Sequence, residues 1–202
     1  MHSLNNQYMK KYLLPFFVLL LIFPGCKSTR PFAEKKMELT TQPVAVMDVA
    51  PKDIDWHDQT TWILGYFNLA RLTHYPYSTW YITGYDDYQL KIDAVNKLLE
   101  FKKDHITIKI VMGTWCPDSR REVPRFMRVL DTWQFPVESV TFIGVDNEKQ
   151  SPVGEYVNLD IKRVPTFIIY KNNLEAGRII ENPVSSLEQD IVDILTGRDN
   201  NK

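Results

Sequence analysis

Cys116 stands in the run Gly113-Thr114-Trp115-Cys116-Pro117-Asp118-Ser119-Arg120, after an alternating apolar segment and before a helical one. A cysteine at a helix N-terminus meets unpaired backbone N–H groups and the positive end of the helix dipole. Both favour thiolate over thiol, and the thiolate is the nucleophile of cysteine chemistry. Pro117 fits the first helical turn, where no N–H is needed. Arg120 and Arg121 add positive potential nearby. The residue types therefore point to a reactive thiolate on an exposed turn; the alternative is a small buried residue closing a strand.

The flanking pattern supplies the elements that must hold this turn. Apolar residues from Asp86 to Phe101 follow helical spacing, with Lys91, Asp93 and Lys97 on the opposite face. Ile106 to Met112 alternates as a strand and stops at Gly113. Pro117 to Leu130 reads as a helix interrupted by Pro124, and β-branched Val137 to Val145 as a second strand. Thr166 to Tyr170 and Arg178 to Ile180 flank Lys171-Asn172-Asn173, a hairpin with turn-forming asparagines. Ser185 to Leu195 closes as an amphipathic helix, with Ser185 as N-cap and Glu188 three residues on. Alternating strands and helices that end in a hairpin and a helix predict an α/β fold, a mixed central sheet flanked by helices.

These residues together resemble the thioredoxin-like family. The turn is similar to Trp-Cys-x-x-Cys, with Ser119 in place of the second cysteine. Pro124, eight residues after Cys116, corresponds to the proline that kinks the family's active-site helix. Val164-Pro165-Thr166 resembles the segment before the hairpin, where the family holds a cis peptide beside the active-site sulfur. The resemblance covers roughly residues 88–196. It implies a thioredoxin-like fold, catalysis at Cys116, an active-site turn of Trp115, Pro117, Asp118 and Ser119, and a substrate-binding edge at Val164, Pro165 and Thr166.

The departures shape the chemistry. Many thioredoxins carry a buried acid six residues before the nucleophile; Ile110 stands there. Ser119 cannot form a disulfide, so any redox cycle passes through a mixed disulfide resolved from outside. Peroxiredoxins place Thr three residues before their cysteine, and that position is Gly113. Copper-carrying relatives use two cysteines and a histidine; His57, His74 and His105 are scattered, and no metal and no cofactor are expected. Arg121, Arg125 and Arg128 fall at helical spacing, as a solvated face or a surface for an anionic partner. Asp118 either contacts Arg121 or restrains the thiolate, and Asp146 ends the second strand as a turn residue or as part of the active edge.

Ahead of this domain, Trp56 to Tyr88 holds ten of the chain's twenty-five aromatics. Gln59 to Leu72 suits an amphipathic helix bearing Trp62, Ile63, Tyr66, Leu69 and Ala70. Such a segment either packs onto the domain or anchors a partner. At the N-terminus, Lys10-Lys11 precede twelve largely apolar residues, Tyr12 to Phe23, and then Pro24-Gly25-Cys26. A membrane span needs about 20 apolar residues, so this stretch is a signal core rather than an anchor. It resembles a bacterial lipoprotein signal, which implies lipidation of Cys26 and a place in the cell envelope outside the cytoplasm, at the outer membrane. The expected organisation is a signal over 1–25, a tether over 26–50, an aromatic-rich N-terminal extension over 51–85, and the thioredoxin-like domain over 86–198.

Composition sets limits. Its 202 residues carry 24 Lys+Arg against 25 Asp+Glu, which removes the electrostatic case for nucleic acid. Loss of residues 1–25 takes away Lys10 and Lys11 and no acid, leaving 22 basic and 25 acidic residues, a net of about −3. Three functions remain for this sequence. The first is thiol–disulfide exchange at Cys116 with protein or small-molecule thiols and disulfides, on a membrane-tethered protein. The second is a redox-inactive thioredoxin-fold binding module. The third is a peroxide-reducing or other thiol-dependent enzyme.

Overall fold

The computed structural model describes residues 53–198. The signal, Cys26 and the tether lie outside the described residues. Five strands form one mixed sheet: β1 (Gly65–Phe67), β2 (Ile106–Met112), β3 (Val140–Gly144), β4 (Thr166–Lys171) and β5 (Leu174–Ile180), in the order β1-β3-β2-β4-β5. β2 and β3 run parallel, and the other neighbours are antiparallel. Four helices accompany them: α1 (Ser78–Asp86), α2 (Ile92–Leu99), α3 (Pro117–Trp133) and α4 (Leu187–Thr196). The architecture is α/β, a mixed sheet flanked by helices.

The period of two in the strands divides the core. Ile108, Ile110 and Met112 of β2, with Phe142, Phe167 and Ile169, join a large cluster with Leu98, Val123, Phe126, Leu130 and Ile191 of the helices. The alternate residues Val111, Ile143 and Ile168 face a second, smaller cluster containing Cys116, Tyr156, Leu159 and Val164. Cys116 thus belongs to the lesser core. Phe126 and Phe167 stack with ring centroids 4.1 Å apart and lock α3 to β4.

Local chemistry explains the element ends. Asn172 and Asn173 both adopt positive φ (53° and 62°), the backbone a two-residue hairpin loop requires. α3 ends at Trp133, three residues beyond the expected Leu130, with Gln134 in the left-handed region as its C-cap. Ser186, and not Ser185, caps α4: its side chain accepts from Gln189 N at 3.2 Å. Ser185 instead gives its N–H to Asp190 Oδ1.

Three expectations are corrected. Gln59 to Leu72 is not a helix but a 3-10 turn (Gln59–Thr61), strand β1 and a second 3-10 turn (Leu69–Arg71). Gly65 at φ +79 leaves helical space, and pairing of Gly65, Tyr66 and Phe67 with β3 satisfies the backbone better. The helix expected over Asp86 to Phe101 is shorter: α1 ends at Asp86 and α2 starts at Ile92. The break is held by buried Glu188, which accepts from Tyr88 Oη and Lys91 N, each at 3.1 Å. The strand expected from Val137 begins at Val140, because Val137–Ser139 is a 3-10 turn.

The aromatic extension contributes to the same sheet and core. β1 forms its edge on β3, and α1 crosses α3 where Gly84 allows contact; a Cβ at Gly84 would lie 2.7 Å from Pro124 Cγ. Replacing the stacked ring at α3, Phe126→Ala, should cost about 3–5 kcal/mol of unfolding free energy in urea titration. A loss below about 1 kcal/mol would show that the Phe126–Phe167 pair is not central to the core.

Candidate active site

Gly113 to Cys116 carry the chain from the end of β2 into α3. Cys116 is the N-cap of α3 in extended conformation, Pro117 occupies the first helical turn, and Arg120 N closes the first helical bond onto Cys116 O at 3.1 Å. The free Cys116 thiol is only 6% exposed and donates to Val164 O at 3.3 Å. The Val164–Pro165 peptide is cis, as the family resemblance implies. Thr166 starts β4 and donates through Oγ1 to Arg163 O at 2.6 Å. The fold therefore brings the sulfur and the Val164–Pro165–Thr166 segment together, forty-eight residues apart in sequence.

Every neighbour of the sulfur on the turn has a fixed task. Trp115 folds back over Gly113, where a Cβ would lie 2.4 Å from the indole nitrogen, and donates through Nε1 to Val145 O at 2.9 Å. Ser119 is fully buried and accepts the Gly113 N–H at 3.3 Å. It satisfies a buried donor that an apolar side chain would leave orphaned, at a cost of about 1–3 kcal/mol. Asp118 forms the expected contact with Arg121, an ion pair at 2.7 Å. Asp146 accepts from Glu148 N and Gln150 N at 3.0 and 2.7 Å and is a turn residue.

Two of the three arginines in the stripe on α3 are paired. Arg121 and Arg125 both pair with buried Glu122, at 2.7 and 3.0 Å. Arg125 also lies over Tyr88 and Arg128 over Tyr85. Arg121 is held above its ordinary value, first by the Glu122 hydrogen bond, with burial opposing. Arg121 and Arg125 are thus neutralised by carboxylates of their own helix, whereas Arg128 is in no ion pair among the described residues.

Sequence reasoning missed Thr114. Buried Thr114 donates through Oγ1 to Thr61 O at 3.0 Å and accepts from Ile63 N at 3.3 Å. Trp62 lies 6.4 Å from Trp115, and Trp56 stacks against the Arg120 guanidinium at 5.1 Å. The segment from Trp56 to Ile63 is thus stitched to the sulfur-bearing turn. The aromatic density around Trp56 and Trp62 was the available signal, but nothing local told which surface they would meet.

No protein-family model matches the chain, and no curated protein matches it. Among solved structures, a protein of unknown function from Pseudomonas aeruginosa is similar, with a TM-score of 0.45 and 12% identity. The similarity covers 64% of this chain and 90% of that one. It assigns no chemistry to the site.

Tyr156 shares the small cluster with Cys116 and donates to Lys149 O at 2.6 Å. Burial first, and then the charge of Asp146, push its phenol from 10.0 up to about 12. The unfolded phenol ionises first, so this contribution is complete below pH 10 and is lost as pH rises to about 12. The urea midpoint should fall across that window, and Tyr156→Phe should make the fall shallower. An equally steep fall in the variant would exclude Tyr156 as a cause.

Proposed function

We propose that this chain is a thioredoxin-like protein that carries out thiol–disulfide exchange through Cys116, tethered in the cell envelope by a lipid on Cys26. The observation that carries the reading is the meeting of a helix N-cap cysteine with the Val164 carbonyl, beside the Val-Pro-Thr segment. Backbone N–H groups and the dipole of the seventeen-residue α3 favour negative charge at the sulfur. The exchange runs in two balanced steps. The Cys116 thiol releases its proton to solvent, and the thiolate attacks one sulfur of a partner disulfide. An S–S bond forms to Sγ, the partner's own S–S bond breaks, and the leaving sulfur takes the bonding pair and then a proton. An external thiolate next attacks the partner sulfur, forming a new disulfide with it and releasing Cys116 as thiolate.

Ser119 supports an external resolving thiol, because its hydroxyl is committed to Gly113 N and carries no exchangeable sulfur. Ile110, fully buried at the position where many thioredoxins hold an acid, supplies no base, so the assisting base is missing or comes from elsewhere. Partners in this reading are protein or small-molecule thiols and disulfides.

A second reading has its own observation. The thiol is almost wholly buried and already hydrogen-bonded, as in a fold retained for binding alone. The two readings part on the reactivity of Cys116. Exchange requires alkylation by iodoacetamide at neutral pH faster than free cysteine, and mixed disulfides that vanish in Cys116→Ser. A thiol no faster than free cysteine would leave the binding module as the function. Peroxide consumption lost in Cys116→Ser would instead indicate a peroxide-reducing enzyme.

A further inference from the structure

Arg120 is the polar side chain at the site that the exchange steps leave unassigned. It stands one helical turn after Cys116, half-buried on α3. Its Nη1 donates to Thr114 O at 2.8 Å and to Trp115 O at 2.9 Å, the carbonyls of the two residues leading into Cys116. Its guanidinium stacks on Trp56 at 5.1 Å. Among the described residues, ion pairs account for Arg121, Arg125, Arg163 and Arg178, and none involves Arg120.

The electrostatic consequence is specific. A guanidinium bonded only to neutral carbonyls and covered by an indole keeps its full charge while losing part of its hydration. An anion that forms nearby is stabilised by it, more strongly than in water. Burial lowers the proton affinity of Arg120, and its bonds to the Thr114 and Trp115 carbonyls hold the guanidinium against the two residues that lead into Cys116. The only anion the exchange chemistry creates on this turn is the Cys116 thiolate.

Resting on the exchange reading, we infer that Arg120 is a positioning residue for Cys116. It clamps the two peptide carbonyls ahead of the sulfur and supplies the uncompensated positive charge that favours the attacking thiolate. Trp56 from the N-terminal segment holds the guanidinium in place. The aromatic extension therefore tunes the thiol through Arg120.

The test uses the folded chain, intact over residues 53–198, and the uncharged reagent 4,4′-dipyridyl disulfide. Arg120→Met should slow the reaction at neutral pH by about tenfold, and the rise of its rate with pH should move to higher pH. Arg120→Lys, which keeps the charge but not the planar fork, should recover most of the rate. Trp56→Leu should slow it by roughly two- to threefold, and Lys97→Met, which removes a cation from α2, should leave it unchanged. A folded Arg120→Met variant with the wild-type rate and pH profile overturns the inference. So does equal slowing in Arg120→Lys and Arg120→Met with an unmoved pH profile, since Arg120 would then be a brace alone. If Arg120→Met does not fold, an unchanged rate in Trp56→Leu overturns it. A fast wild-type thiol that is indifferent to Arg120 would sink this inference and leave exchange standing, whereas a wild-type thiol no faster than free cysteine would remove both.

Discussion

The end of a central strand has to become the start of the seventeen-residue α3 within four residues, and the rest of the site follows from that constraint. Gly113 to Cys116 leave the sheet with their peptide groups inside the protein, where each needs a partner. The structure finds those partners in the first turn of the helix and at long range: Ser119 takes Gly113 N, Arg120 takes the Thr114 and Trp115 carbonyls, and Thr114 reaches back to Thr61 and Ile63. A turn so thoroughly satisfied is rigid. The sulfur at its end inherits that rigidity and faces a single carbonyl, that of Val164.

The same bonds give Ser119 a structural task of its own. Ser119 is fully buried, and its oxygen answers a backbone N–H. The position is coupled to the stability of the turn. Charge is arranged with similar economy. Glu122, 3% exposed, binds two arginines of α3, so that helix presents little net charge beyond its first turn. Arg120 is bonded to dipoles in place of a carboxylate.

How far the sequence could be read depended on the range of the forces involved. β2 was legible because Ile106 to Met112 alternate by burial, and the hairpin because Asn172 and Asn173 accept positive φ. Cys116 and Pro117 announced the start of α3 through helix-terminus chemistry, which is local. The segment from Gln59 to Leu72 was misread because its apolar spacing fits a helix, while the deciding contacts are with β3, more than seventy residues away. Thr114 gave no signal at all: a threonine after a glycine is unremarkable until its partners, fifty-one and fifty-three residues earlier, are placed beside it. The meeting of Cys116 with Val164 was legible only through the family resemblance, since no local rule brings those positions together.

Trp56 and Ile63 have a mechanical meaning as well. The described chain begins at Asp53 and within eleven residues is fastened to the sulfur-bearing turn, through Trp56 on Arg120 and Ile63 on Thr114. Its pairing with the sheet, at Gly65 to Phe67, comes only afterwards. Tension entering from the N-terminal side is therefore transmitted to the neighbourhood of Cys116 before the strand ladder bears any of it. A load applied from that side would meet the neighbourhood of the thiol first.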